Sequence, residues 1–431
     1  MAFYPELNKL GFGLSVKMDV TYFVFILAKI GLTFCLFFIF LSALSIVYDT
    51  QSNALEFVRS QRAIARFDLL GKNSLLDRLT SRSIPNQRLV EAFNINNSFT
   101  TVDLDVHERF VTSARSVVLR MNPQKWSAFF AVSEVAARQA YYTLSASRDT
   151  LPLAMAVRFV VFSTMVYQFF EVVLSDTDFD DVVEATSAIN NLWQQSKKNG
   201  RQELREQERL QASLRRLLPN CFPCNSEKHP LNIIIPAYET MWRVILLTFV
   251  SAGFREVDSK TMEQFREILQ SISMYSSSQP SVEVMNTAKD FAKEGLRLYP
   301  PTKRIHRAIP NAQTGSYYTM AADIERCHRD KRIWGADAEQ FRPSRFQNRT
   351  ANMDEAYIPF GAGRHMCPTA TQFSYYAIVI IVVVLAKHLG TKETGSEVIF
   401  NDLELDRDPK RILPSGRMDM ESWDIKVRGT E

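Results

Sequence analysis

A mainly helical fold is the reading the sequence favours, and three features point to it. Glycine and proline are sparse, 15 and 17 in 431 residues, so the backbone has few built-in breaks. From Asp49 to Asn220, Leu, Val, Ala and Phe recur at helical spacings. The apolar run from Tyr375 to Ala386 has the length of a buried core helix, and another apolar run starts at Asn232 and reaches about Phe254.

Taken in order, the front of the chain comes first. Val20 to Tyr48 is apolar except for Lys29, and the 19 residues from Ile30 to Tyr48 carry no charge. That length spans a bilayer. A cleaved signal peptide is the rival, but the run is too long and starts too far from Met1. Arg59, Arg62, Arg66, Lys72, Arg78 and Arg82 follow it, whereas only Lys9 and Lys17 precede it. The basic excess places the following side in the cytoplasm. The expected layout is a lumenal N-terminus over 1–19, an anchor over 20–48 and one domain over 49–431. That domain divides into a variable helical part, 49–230, and a core, 231–431.

Within 49–230, Ser196 to Leu218 is dense in charges of both signs. Such spacing marks a solvated helix face with internal pairs. A nucleic-acid site is the poorer reading, because the formal net charge is only +4 over the chain. Asn220 to Pro230 reads as a proline-bearing linker. It holds Cys221-Phe222-Pro223-Cys224 with His229 close by. A zinc site needs four ligands and no second cysteine pair exists, so two free thiols are expected there.

Asp290 to Leu298 reads as a helix stopped by Pro300-Pro301. Glu294 and Arg297 lie three apart and share a face. Near the end comes Pro359-Phe360-Gly361-Ala362-Gly363-Arg364-His365-Met366-Cys367-Pro368. Two scarce glycines allow positive φ and close approach to a flat ligand. Arg364 and His365 can meet acidic groups, and Cys367 can offer a thiolate. A haem held through sulfur requires this combination. The bland alternative is a glycine turn with an inert buried cysteine.

The last run resembles the haem-binding signature of the cytochrome P-450 family, in which Phe360, Gly361, Gly363, His365 and Cys367 match fixed positions. Thr369 stands where the family usually has glycine. Glu294 and Arg297, then Trp334-Gly335-Ala336-Asp337-Ala338, then Phe341-Arg342-Pro343-Ser344-Arg345-Phe346, are similar in order to the family's K helix and meander. The resemblance implies a buried ion triad of Glu294, Arg297 and Arg345. Ala237-Tyr238-Glu239-Thr240, preceded by Pro236, is similar to the family's central helix over the distal haem face. Glu239 and Thr240 would relay protons, while Ala237 and Tyr238 would face substrate. Arg304 and Arg307 resemble the strand that supplies further basic contacts to haem.

The resemblance therefore implies a mainly α fold with minor β structure around a buried haem b, with Cys367 as axial ligand of the iron. It implies monooxygenation of a lipophilic small molecule by O2. Electrons would come from NADPH through a partner reductase, docked on a basic face that includes Arg364 and Lys387. The spelling of the blocks looks like filamentous-fungal microsomal members, which implies an endoplasmic-reticulum anchor and a role in secondary-metabolite biosynthesis. One departure is that no proline lies between Pro5 and Pro85, so the family's N-terminal β region is expected to be short or altered. Two alternatives stand beside this reading. One is a haem-thiolate protein that does not oxygenate. The other is a membrane-tethered helical interaction protein without cofactor.

Overall fold

A computed structural model describes residues 29, 32–33, 36–37, 40, 52–67, 74–146, 148–198, 204–275, 277–370 and 372–428. Two compact units are present, Met1–Asn53 and Ala54–Glu431. Of the expected anchor over 20–48, only Lys29, Leu32, Thr33, Leu36, Phe37 and Phe40 are described; the rest lies outside the described residues. All six are helical and exposed, and the Thr33 hydroxyl donates to the Lys29 carbonyl.

The second unit is helical with two small sheets. Helical residues 54–66 (α1) open it. Leu75–Phe93 (α2) follows, fixed at its start by a capping box in which Ser74 and Asp77 satisfy each other's backbone N–H. Next come Leu104–Leu119 (α3), Pro123–Ser145 (α4), Leu153–Phe170 (α5), Phe179–Gln195 (α6) and Leu204–Leu217 (α7). Among the described residues before Leu151 no strand occurs. On α7 one internal pair, Arg209 with Glu206, matches the expectation, and the other charges reach across to α6. Arg209 binds Glu184 and Glu206, and Arg216 binds Asp181.

The central helix is broken by its proline. Leu231–Ile234 (α8) is α-helical, Ile235–Glu239 is a π turn, and Met241–Gly253 (α9) resumes the α-helix. Pro236 has no N–H to give, so the ladder widens by one residue there. Ser259–Ser273 (α10) and Val282–Leu298 (α11) follow. α11 is capped by Ser281, whose side chain accepts from Val284 N–H at 3.2 Å. It ends before Pro300-Pro301, as the prolines require.

Arg304–Pro310 (β1) and Tyr317–Asp323 (β2) form an antiparallel hairpin, with Arg307 opposite Met320. Ile324–Arg329 (α12), Lys331–Trp334 (α13) and Ala351–Ala356 (α14) lead to the cysteine run. Gln372–Leu389 (α15) then runs through the centre, apolar on all sides and packed on α4, α9, α10 and α11. A second sheet joins the pair Leu151–Pro152, the strand Asp424–Lys426 and the strand Glu397–Ile399, in that order.

Among the described residues, three helices are long and apolar enough to cross a membrane: Leu153–Phe170, Leu231–Gly253 and Gln372–Thr394. Between 72 and 78% of each is buried inside this unit, so their hydrophobicity is already used in packing. Close contact is built in at one crossing. A Cβ on Gly295 of α11 would clash with the Thr248 hydroxyl of α9.

Candidate cofactor site

The cysteine turn takes its shape from two left-handed residues. Gly361 has φ +77° and Gly363 φ +74°, values costly for any side chain. Gly361 N–H donates to the Ile358 carbonyl at 3.1 Å, and Cys367 N–H closes the loop onto the Phe360 carbonyl at 3.0 Å. The Cys367 sulfur is partly buried, 3.0 Å from the Thr369 hydroxyl oxygen. Phe360 lies edge-on to Tyr375 of α15, with centroids 5.6 Å apart.

A cluster of cations surrounds this turn. Arg82 from α2 and Arg307 from β1 are both buried. Burial and the neighbouring Arg307 bring the Arg82 guanidinium down to about 9, against a small raising effect of Cys367. Burial brings Arg307 down to about 10. Burial, then Arg82, Arg307 and His107, pushes His365 down to about 3. Neither ring nitrogen of His365 has a hydrogen-bond partner, although both are buried. Arg82 donates to Ser98 Oγ at 3.1 Å, Ser98 meets His107 at 2.8 Å, and Arg307 donates to the Ala65 carbonyl at 2.9 Å. No carboxylate pairs with Arg82, Arg307 or His365 among the described residues. Buried cations without anions are costly. An acidic, flat ligand with an atom that accepts sulfur would satisfy the cluster, the orphaned imidazole and the thiol together, so these residues fit a haem.

Behind the turn sits a closed ion triad. Arg297 grips Glu294 through two bonds, Nε to Oε2 at 2.7 Å and Nη2 to Oε1 at 2.9 Å, while Arg345 Nε reaches Oε1 at 3.0 Å. Glu294 and Arg297 are fully buried. Arg297 also donates to the carbonyls of His328 and Ala338, both at 2.7 Å. Arg345 donates to Trp334 and Asp337 carbonyls.

His328 was not singled out from sequence, yet it links this triad to the cysteine loop. Its Nδ1 lies 3.2 Å from the Arg297 carbonyl, and its Nε2 accepts from Ile358 N–H at 3.0 Å. Accepting at Nε2 leaves the proton on Nδ1, donated to Arg297. Burial and Arg297 hold it down to about 3. Its ring stacks on Tyr357, with centroids 5.6 Å apart. A histidine between a buried arginine and a strict turn was the available signal.

The remaining expected residues are placed differently. Arg304 is exposed and pairs with Asp323 at 3.7 Å, so it stands outside the buried cluster. Arg364 is also exposed. Lys387 is bound by Glu134. Glu239 is buried and paired with Arg417 from near the C-terminus, with Arg243 Nε 4.0 Å away. Thr240 donates instead to the Pro236 carbonyl at 2.7 Å, within the π turn. The two side chains expected to form an acid–alcohol pair do not hydrogen-bond to each other. Tyr238 is buried and lies edge-on to Phe162 at 5.4 Å, while Ala237 is half-buried.

Two concavities are described. The larger, about 860 Å³, is lined by the end of α2 with Gln211, Arg215, Phe222, Cys224 and His229. The smaller, about 220 Å³, lies by Pro123 and Tyr275. Neither is lined by Cys367 or Thr240. Cys221 and Cys224 are free thiols, and His229 is held by Gln211 and the Leu231 N–H.

The chain belongs to the cytochrome P-450 family, a class of haem-thiolate proteins: the family model described as Cytochrome P-450 matches residues 153–369. It is similar to vinorine hydroxylase of Rauvolfia serpentina, 37% identical over 109 residues that make up 22% of each chain. It is 32% identical to flavonoid-6-hydroxylase of Mentha piperita over 119 residues, 25% of this chain and 23% of that one. It is also similar to the bifunctional cytochrome P-450/NADPH–P-450 reductase 2 of Bacillus subtilis (strain 168), 33% identical over 113 residues, 24% of this chain and 11% of that one. The matched stretch thus spans less than a quarter of the length of these relatives. Among solved structures, cytochrome P-450 OleT in complex with arachidonic acid aligns with a TM-score of 0.51, covering 82% of this chain and 84% of that one. Its 16% identity carries the fold alone.

Proposed function

We propose that this protein is a haem-thiolate monooxygenase that inserts one oxygen atom from O2 into a lipophilic small molecule. The observation that carries the reading is the Cys367 sulfur in a two-glycine turn beside two buried arginines and a partly buried histidine, none with an acidic partner among the described residues. Cys367 holds the haem iron, and Arg82, Arg307 and His365 meet its acidic groups. A thiolate-ligated haem supplies O–O bond cleavage and oxygen transfer. Glu294, Arg297, Arg345 and His328 hold the turn that presents the sulfur. Thr240, next to the widened turn at Pro236, would hold a proton at its hydroxyl for the oxygen chemistry the haem would supply.

Electrons come from an NADPH-dependent reductase. The name of the Bacillus relative joins such a reductase to a cytochrome P-450. The apolar run over 20–48 anchors the chain in the endoplasmic reticulum, with the catalytic domain in the cytosol. Two relatives are named hydroxylases, in keeping with a role in secondary metabolism.

The carbon-monoxide spectrum of reduced protein tests this reading. Wild type shows the long-wavelength band of thiolate ligation and Cys367→Ser loses it. A colourless purified protein overturns the proposal. One observation favours a second reading, a haem-thiolate protein that does not oxygenate: Glu239 is engaged by Arg417 rather than by Thr240. NADPH-driven oxygen uptake with reductase separates the two.

A further inference from the structure

Where members of the family usually carry glycine two residues past the cysteine, this chain has Thr369, and its hydroxyl oxygen lies 3.0 Å from the Cys367 sulfur. The same oxygen is 2.9 Å from the Ser374 hydroxyl, which also lies 2.8 Å from the Thr369 carbonyl. Ser374 is buried in the first turn of α15 and donates toward Thr369. We propose that Ser374 and Thr369 form a hydroxyl relay that donates a hydrogen bond to the sulfur of Cys367 and sets the reduction potential of the haem held there. The inference rests on the reading of Cys367 as the iron ligand.

The direction of the relay follows from proton count. A thiolate bound to metal has lone pairs and no hydrogen, so it only accepts. Thr369 has one hydroxyl proton and must be the donor. Its oxygen keeps lone pairs, one of which takes the Ser374 proton, shared with the Thr369 carbonyl. Each link polarises the next, so the terminal bond to the charged sulfur is strengthened. Glycine offers no such donor. Threonine adds a side-chain bond at a position fixed by the turn, since Ala370 N–H returns to the Cys367 carbonyl at 3.0 Å.

A donor on the sulfur draws electron density away from the iron. The ferrous state, richer by one electron, gains relative to the ferric, and the potential rises. Thr369 and Ser374 touch neither substrate nor reacting atoms; they act through Cys367 as positioning residues.

The test uses full-length protein loaded with haem. Reduction potential and the iron–sulfur stretching frequency are measured for wild type, Thr369→Val, Thr369→Gly, Thr369→Ser and Ser374→Ala. Removing the hydroxyl lowers the ferrous/ferric equilibrium constant about tenfold, about 59 mV for a one-electron couple, and stiffens the iron–sulfur bond. Thr369→Ser retains the wild-type values, and Ser374→Ala moves part of the way. Equal potentials in wild type, Thr369→Val and Thr369→Gly overturn the proposal. So does a Thr369→Ser shift as large as that of valine, which would make the effect steric. If neither hydroxyl-free variant loads haem, Ser374→Ala decides by the same potential. A wild type without the thiolate-type carbon-monoxide band instead overturns the underlying reading of Cys367.

Discussion

At the scale of single residues, the site is governed by cations that lack anions. Arg82 and Arg307 sit buried near His365, and each is depressed chiefly by loss of water. Haem acids would reverse that penalty. Arg82→Ala is therefore expected to lower haem content several-fold while leaving the cysteine turn folded, measured as haem per protein and by near-ultraviolet circular dichroism. The neutral histidines make a separate prediction about acid. An unfolded histidine takes its proton near 6.5, whereas His328 does so only near 3. Between these values the unfolded chain binds more protons, so stability is complete above about 6.5 and falls as pH drops toward 3. At pH 5 this residue alone costs about 2 kcal/mol. His365, held down to about 3, acts in the same direction. Urea titration of haem-free protein at pH 7 and pH 5 reads the loss; an unchanged midpoint contradicts a neutral buried His328.

At the scale of elements, helix stops were legible and helix contacts were not. The end of α11 at Pro300-Pro301 and the break at Pro236 follow from local chemistry, because proline lacks an N–H wherever it stands. The pairing of Glu294 with Arg297 was legible from their spacing, but Arg345 entered only through the family resemblance. His328 was missed because its two partners are backbone groups of Arg297 and Ile358, and sequence does not show which backbone groups converge. The exposed Arg304 shows the reverse error: in a strand, alternation sends Arg304 and Arg307 to opposite faces. Two predictions belong here. Arg297→Ala leaves Glu294 buried without its bidentate partner, a loss of about 3–5 kcal/mol, and haem incorporation should fail; normal incorporation would refute the triad's role. Gly295→Ala forces the crossing of α11 and α9 apart at Thr248. It should cost about 1–3 kcal/mol, with Thr248→Ala restoring most of it in the double variant.

At the scale of the whole second unit, the chain end closes onto its middle. Arg417 reaches Glu239 of the π turn and lies over the Trp193 ring of α6 at 4.4 Å. Glu421 takes two bonds from Arg158 of α5 and one from Asn190 of α6. Arg243 donates to the carbonyls of Pro301 and Ser415. None of these links was visible in sequence, since Glu239 and Arg417 are 178 positions apart and a carboxylate beside a threonine invites a local reading. The geometry makes Glu239 first a partner of Arg417. If so, the charge pair should show strong coupling in a double-mutant cycle. Arg417→Met leaves the buried carboxylate only the more distant Arg243, 4.0 Å away, and Glu239→Gln strands a buried guanidinium, each costing about 3–5 kcal/mol. The double variant buries neither charge and should lose much less than the sum. Unfolding midpoints of the four proteins measure this coupling. Additive losses would mean that the two side chains act independently, which would leave Glu239 free for proton transfer beside Thr240.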